Sequence, residues 1–176
     1  LRTSLLVMYK QQSRIHIEFP RGGYPKIRAV EQHVKNPPVP YFIDACSGVG
    51  TLGISAACIG VPHVILNDAW YASAFWSAFN LEVNREYLRI KKVRIFEQEE
   101  DMQKHPVIRD PIKIAETEGE QTIEVYQGDF RRLHTVISTD PPPLTVFDLF
   151  EKSDSPALRR ILDDWKSRVG GEVFIP

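Results

Sequence analysis

The chain is poor in the residues that metals and oxidising compartments require. It has two cysteines and five histidines in 176 residues, and no His, Cys or paired carboxylate stands at metal-site spacing around His16 or His33. Cys46 falls in a Gly-rich turn, with Cys58 about three helical turns further on, which keeps the two thiols beyond disulfide distance. Free thiols suit a reducing compartment, so a cytoplasmic protein is expected. The longest apolar stretch, Thr51 to Leu66, is broken by Gly53, Gly60, Pro62 and His63 and cannot span a membrane. No charged-then-apolar leader opens the sequence. A net charge of −1 removes any global basic field, so contact with nucleic acid would have to rest on a local patch. Hydrophobic content of 43% and charged content of 26% are those of an ordinary globular domain, and the length fits one such domain with a real core.

What the chain does have is concentrated between Tyr41 and Asp68, Y-F-I-D-A-C-S-G-V-G-T-L-G-I-S-A-A-C-I-G-V-P-H-V-I-L-N-D. An apolar run ends in Asp44. A turn follows with Gly48, Gly50 and Gly53, then a small-residue helix, then a second apolar run ending in Asp68. This is a strand–loop–helix–strand unit suited to an adenosine-containing cofactor. Glycine lets the backbone approach a ligand closely, and an acid ending the second strand can accept both ribose hydroxyls. The spacing Gly48-x-Gly50-x-x-Gly53 with Asp68 downstream also fits a dinucleotide fingerprint. Asp44 separates the two readings. A carboxylate beside the helix N-terminus repels a pyrophosphate and attracts a ligand carrying an ammonium and a sulfonium.

Asp44-x-x-x-Gly48-x-Gly50 resembles motif I of class I S-adenosylmethionine-dependent methyltransferases. The wording D-A-C-S-G-V-G-T-L-G, with N-D closing the second strand, is most similar to the RNA-modifying branches. The resemblance covers roughly residues 41–175. It implies S-adenosyl-L-methionine as cofactor, held by Asp44, Cys46, Ser47, Gly48, Gly50, Asp68, Ala69, Asp129 and Phe130. In Gly128-Asp129-Phe130 the carboxylate is expected to accept from the adenine amino group beside a ring that can stack. Cys46 is read as a small residue packing beneath the cofactor rather than a nucleophile.

Along the rest of the chain, 5–10 and 14–19 read as a strand hairpin and 26–35 as an amphipathic helix, followed by a Pro-rich hinge at 36–40. Residues 69–90 read as an aromatic-rich helix. Its A-F-N-L-E-V-N places Asn80 and Asn84 on one face and resembles the equivalent helix of RNA methyltransferases. Its aromatics, Trp70, Phe75, Trp76 and Phe79 among them, are assigned to the core rather than to a base-stacking platform. Residues 91–96 are β-prone, 98–120 read as a charged insertion that is mobile or a hairpin, and 122–126 form the third core strand.

The site of chemistry has two candidates. His134 to Pro143 contains D-P-P-P, which resembles motif IV of amino-group methyltransferases, so Asp140, Pro141 and Pro142 are the catalytic candidates. They would hold an acceptor amine for in-line attack, although Pro143 replaces the usual aromatic residue. Alternatively Leu144 to Phe150 is the fourth strand, Asp148 marks its end, and the prolines form only the loop before it. A helix over 157–169 and a fifth strand over 172–175 complete the pattern.

The expectation is an α/β Rossmann-like three-layer sandwich, with a mainly parallel sheet, helices on both faces and the fold truncated after the fifth strand. A hairpin-and-helix extension over 1–40 precedes the cofactor domain at 41–176. The opening Leu1, rather than Met, adds to the expectation of a piece of a longer protein. The expected function is methyl transfer to an RNA nucleobase, with no membrane partner. Methylation of a small molecule or protein, a nicotinamide-dependent oxidoreductase and a non-catalytic cofactor module are the alternatives.

Overall fold

The computed structural model describes residues 23–35, 38–97, 110–149 and 154–176. The expected hairpin at 5–19 and most of the expected insertion lie outside these residues. The strands are β1 (Tyr41–Asp44), β2 (His63–Asp68), β3 (Ile90–Ile95), β4 (Lys113–Thr117), β5 (Thr122–Gln127), β6 (Leu144–Val146) and β7 (Glu172–Phe174). The helices are α1 (Gly23–Lys35), α2 (Thr51–Ile59), α3 (Tyr71–Val83), α4 (Arg85–Leu88) and α5 (Pro156–Arg168), with a 3-10 helix at Phe130–Thr135.

One seven-stranded sheet runs in the order β3-β4-β5-β2-β1-β6-β7. From β5 to β7 every pairing is parallel, and β4 and β3 add on antiparallel beyond β5. The chain therefore winds outward from β1 in both directions, the doubly wound arrangement in which ligands sit at the carboxyl ends of the strands. The central strands read as continuous apolar runs because both faces are covered. Phe42, Val64, Leu66, Ile123 and Val125 pack in one layer with residues of α1, α2 and α3. Tyr41, Ile43, Ile65 and Tyr126 pack in the other with Leu133 of the 3-10 helix and Trp165 of α5.

Local chemistry sets the helix ends. α2 begins after Gly50 (φ 92°) and stops at Gly60 (φ 109°), whose N–H bonds back to the carbonyls of Ala56 and Ala57. α5 is opened by Ser155, which accepts from the Leu158 N–H, with Pro156 in the first turn where its missing donor costs nothing. Trp165 of α5 then fixes this helix to β6, donating from Nε1 to Thr145 Oγ1 at 3.0 Å.

Residues 113–117, read as part of a charged insertion that is mobile or a hairpin, are β4, which pairs antiparallel with both β3 and β5. One expectation changes here. The aromatics of α3 do not form core. The helix buries Ala74, Ser77, Ala78, Asn80 and Leu81, while Phe75 is 49% and Phe79 39% exposed. Small residues are what allow α3 to lie close on the sheet, and the rings are left outside.

Candidate functional site

The carboxyl ends of β1, β2, β5 and β6 open onto one cleft of about 980 Å3. Its floor is the loop from Cys46 to Val49. Asp44 closes β1 and is 1% exposed. Its Oδ2 accepts from the Gly53 N–H at 2.9 Å, and its Oδ1 has no hydrogen-bond partner among the described residues. Burial, together with the nearby Asp148 and Asp68 carboxylates, pushes the Asp44 carboxyl up to about 8. A buried acceptor left unpaired in this way is costly unless something arrives to bond it.

Asp68 closes β2 and clamps the loop. Its Oδ2 accepts from the Gly48 N–H and its Oδ1 from the Trp70 N–H, both at 2.9 Å. Burial raises its carboxyl above the ordinary value, while these two N–H groups pull it back. Each oxygen keeps a lone pair for a further donor. Asn67, one residue earlier, joins the strand ends by donating to the Ala45 carbonyl at 3.2 Å and to the Gly128 carbonyl at 3.0 Å.

Asp129, just past β5, accepts from the Arg131 backbone N–H at 3.0 Å and holds the Arg131 guanidinium with both oxygens. That guanidinium lowers the Asp129 carboxyl. An adenine amino group would have to compete with Arg131 for this carboxylate. On the fourth parallel strand, Asp148 lies two residues beyond β6 and is held by Lys26 of α1. Asp44, Asp68, Asp129 and Asp148 all line the cleft, with Lys26 and Arg131 as its only lining cations among the described residues.

Cys46, Ser47, Gly48, Ala69 and Phe130, named from the sequence as cofactor residues, also line the cleft. Gly50 sits behind the loop rather than on its surface. A Cβ there would lie 3.1 Å from Ile54, Leu66 and Ser77. Burial and the surrounding carboxylates drive the Cys46 thiol far above its ordinary value, which keeps it protonated and unreactive.

Asp140, Pro141 and Pro142 are not brought to the cleft. β6 runs parallel to β1 with Leu144 opposite Phe42, so the residues before Leu144 lie at the amino-terminal end of the sheet, opposite Asp44 and Gly48. All three residues are exposed. Only the 3-10 helix separates β5 from the proline loop, too little chain to reach the far end of a strand and return before β6. The alternative end of the fourth strand, Asp148, is the one that faces the cleft.

Lys26, Trp70, Arg131 and Ile161 also line the cleft, and none of them was among the expected site residues. Lys26 and Ile161 arrive on helices packed from distant parts of the chain. Trp70, 72% exposed at the head of α3, was hidden among aromatics assigned to the core.

A Rossmann-like α/β sheet with an acidic cleft over a Gly-rich loop thus defines the class of fold. Among solved structures it is similar to Trm1 from Pyrococcus horikoshii in complex with S-adenosyl-L-methionine, with a TM-score of 0.57 and 18% identity over 96% of this chain. The match takes in 39% of that chain, so the present sequence spans about two fifths of its neighbour's length. At this identity the likeness is one of fold. No protein-family model and no curated protein matches the chain. Among the described residues no helix is long and apolar enough to cross a membrane, and no group of His, Cys, Asp and Glu could hold a metal ion.

Proposed function

We propose that this chain is the cofactor-binding and catalytic domain of an S-adenosylmethionine-dependent methyltransferase that acts on a nucleobase of RNA. The observation that carries the reading is Asp44, a buried carboxyl with one unpaired oxygen under a cleft whose other acids outnumber its bases. Such a floor favours a cationic ligand and disfavours a pyrophosphate. Gly48 adds support, since nothing lies within 4 Å of where its Cβ would stand.

When bound, S-adenosylmethionine supplies a methyl group made electrophilic by its sulfonium. In this reading Asp44 meets the positive end of the cofactor, and Asp68 accepts the ribose hydroxyls with its remaining lone pairs. Phe130 offers a face to the adenine, and Asp129 with Arg131 borders it. Asp148 is the residue placed to accept from an acceptor amine and hold its nitrogen toward the methyl. The volume of the cleft leaves room for an acceptor beside the cofactor. The choice of an RNA base rests on the motif wording at 44–53 and 78–84, with the exposed Trp70 at the rim as a stacking surface.

Calorimetry with S-adenosylmethionine and with NAD tests the cofactor directly. Binding of the first and not the second is expected, and the reverse would replace the reading with an oxidoreductase. Transfer of labelled methyl to RNA, set against protein and small-molecule acceptors, then tests the substrate class.

A further inference from the structure

The inner face of α3 carries two polar side chains where a helix packed on a sheet would ordinarily carry apolar ones. Asn80 is fully buried, and so is Ser77. Neither reaches the cleft lining. Both spend their donors on the carbonyls of the Gly-rich loop. Ser77 Oγ donates to the Gly48 carbonyl at 3.0 Å and shares a second hydrogen bond with Ser47 Oγ at 3.1 Å. Asn80 Nδ2 donates to the Val49 carbonyl at 2.7 Å. One turn on, Asn84 Nδ2 donates to the backbone carbonyl of Asn80, within the helix itself.

We infer that Ser77 and Asn80 are positioning residues, which set the conformation of the cofactor loop from beneath without touching the cofactor. The inference rests on the proposed function for what the loop binds, but not for what holds the loop. In a trans peptide the C=O and the following N–H point in opposite directions. Anchoring the Gly48 carbonyl to α3 therefore turns the Val49 N–H away from α3 and toward the cleft that Val49 lines. The next peptide is fixed at both ends, with its carbonyl on Asn80 and the Gly50 N–H on the Ser47 carbonyl at 2.8 Å. Gly48 and Gly50 both sit at positive φ, 55° and 92°, where glycine has many alternatives. Without these two anchors the loop keeps its Asp68 clamp at the Gly48 N–H but loses what fixes its two carbonyls, and with them the direction of its donor. A buried donor costs free energy unless it is paired, so an apolar residue at 77 or 80 would serve packing as well. The polar pair serves the loop.

The test compares Asn80→Ala and Ser77→Ala with Asn84→Ala, each measured well below its own Tm. S-adenosylmethionine Kd should rise about fivefold or more in the first two, as expected for one buried hydrogen bond lost from the competent loop. Asn84→Ala should lower Tm comparably and leave Kd within about twofold. If Asn80→Ala and Ser77→Ala lower Tm but bind as the parent does, the residues are structural only and the inference falls. Hydrogen exchange of the peptide over 46–51 reads the loop without any ligand. It should quicken in Asn80→Ala and Ser77→Ala but not in Asn84→Ala, and unchanged exchange overturns the inference. A parent that exchanges as expected yet does not bind S-adenosylmethionine sinks the proposed function alone. Should Asn80→Ala not fold, Ser77→Ala decides both measurements.

Discussion

Lys26 and Asp148, 122 positions apart, meet across the cleft. The Lys26 ammonium donates to both oxygens of Asp148, at 2.8 and 2.9 Å. The pair joins α1 to the end of the fourth parallel strand and orients the Asp148 carboxylate at the cleft. With both side chains about a third exposed or more, the pair is a modest contributor to stability, at most about 1 kcal/mol. Its importance lies in where it holds the carboxylate.

Asp148→Ala should therefore leave cofactor affinity within a few-fold and lower turnover by about a hundredfold, the scale of a lost acid–base or orienting group. Asp140→Ala should leave both near the parent values. Steady-state kinetics on the two variants decides between the two ends of the chain's D-P-P-P to F-D-L segment. A collapse of turnover in Asp140→Ala instead would reverse the assignment.

The Asp44 carboxyl gives a pH dependence of definite sign. Its folded value, raised by burial from 3.8 to about 8, lies above the unfolded one. The stability linked to its proton is complete below the unfolded value and is lost as pH rises through the folded value. Asp44→Asn should flatten this loss and melt higher than the parent at pH above 8. Binding of a cation should drive the proton off, so parent affinity for S-adenosylmethionine should climb as pH approaches the folded value. Calorimetry in buffers of different ionisation enthalpy would detect the released proton, and identical apparent enthalpies would refute the linkage.

Asp68→Ala should weaken S-adenosylmethionine at least tenfold, because charged hydrogen bonds of this kind are worth about 1.5–3 kcal/mol each. Removing a ribose ligand that did nothing else would cost the fold little. The structure adds a cost, since the Gly48 and Trp70 N–H groups lose their acceptor. A modest fall in Tm should accompany the lost affinity, and unchanged affinity would rule Asp68 out as a ligand.

Two glycines of the same motif should fail in different ways. Gly48 has φ 55° and open space around its absent Cβ. Gly48→Val meets only the left-handed backbone penalty of about 1–2 kcal/mol and should fold without binding cofactor. At Gly53 a Cβ would stand 2.7 Å from Leu66 Cγ and 3.3 Å from Asp44 Cβ. Gly53→Ala should lose about 1–3 kcal/mol through overpacking, seen as a lower midpoint in denaturant. A Gly48→Val protein that binds as the parent does would displace the site from this loop.

The parallel sheet was legible because its central strands are continuous apolar runs, and the loop because acids and glycines sit at spacings that mean something locally. What was not legible depended on neighbours. The short strand at 113–117 opens on Lys113 and carries Glu116 near its end, and its pairing with β3 and β5 is what makes it a strand. Phe75 and Phe79 suggested core, but Ala74 and Ala78 took the buried side because only small residues let the helix approach. Asp140 matched a motif whose meaning depends on which end of a strand it occupies, and register rather than wording decides that. Lys26 carries no signal in its own segment.

The β3–β4 hairpin has a consequence for how the molecule behaves in company. Without it the outer strand of the parallel sheet would be β5, whose Ile123, Val125 and Tyr126 are buried. Its unpaired backbone would invite a strand from another chain. Among the described residues the hairpin moves that boundary to β3, which carries Lys91, Lys92 and Arg94 and is interrupted by a register shift between Ile90 and Lys92. Charge and irregularity both discourage further strand addition. The hairpin thus replaces an apolar edge of the five-strand parallel core with a charged and irregular one.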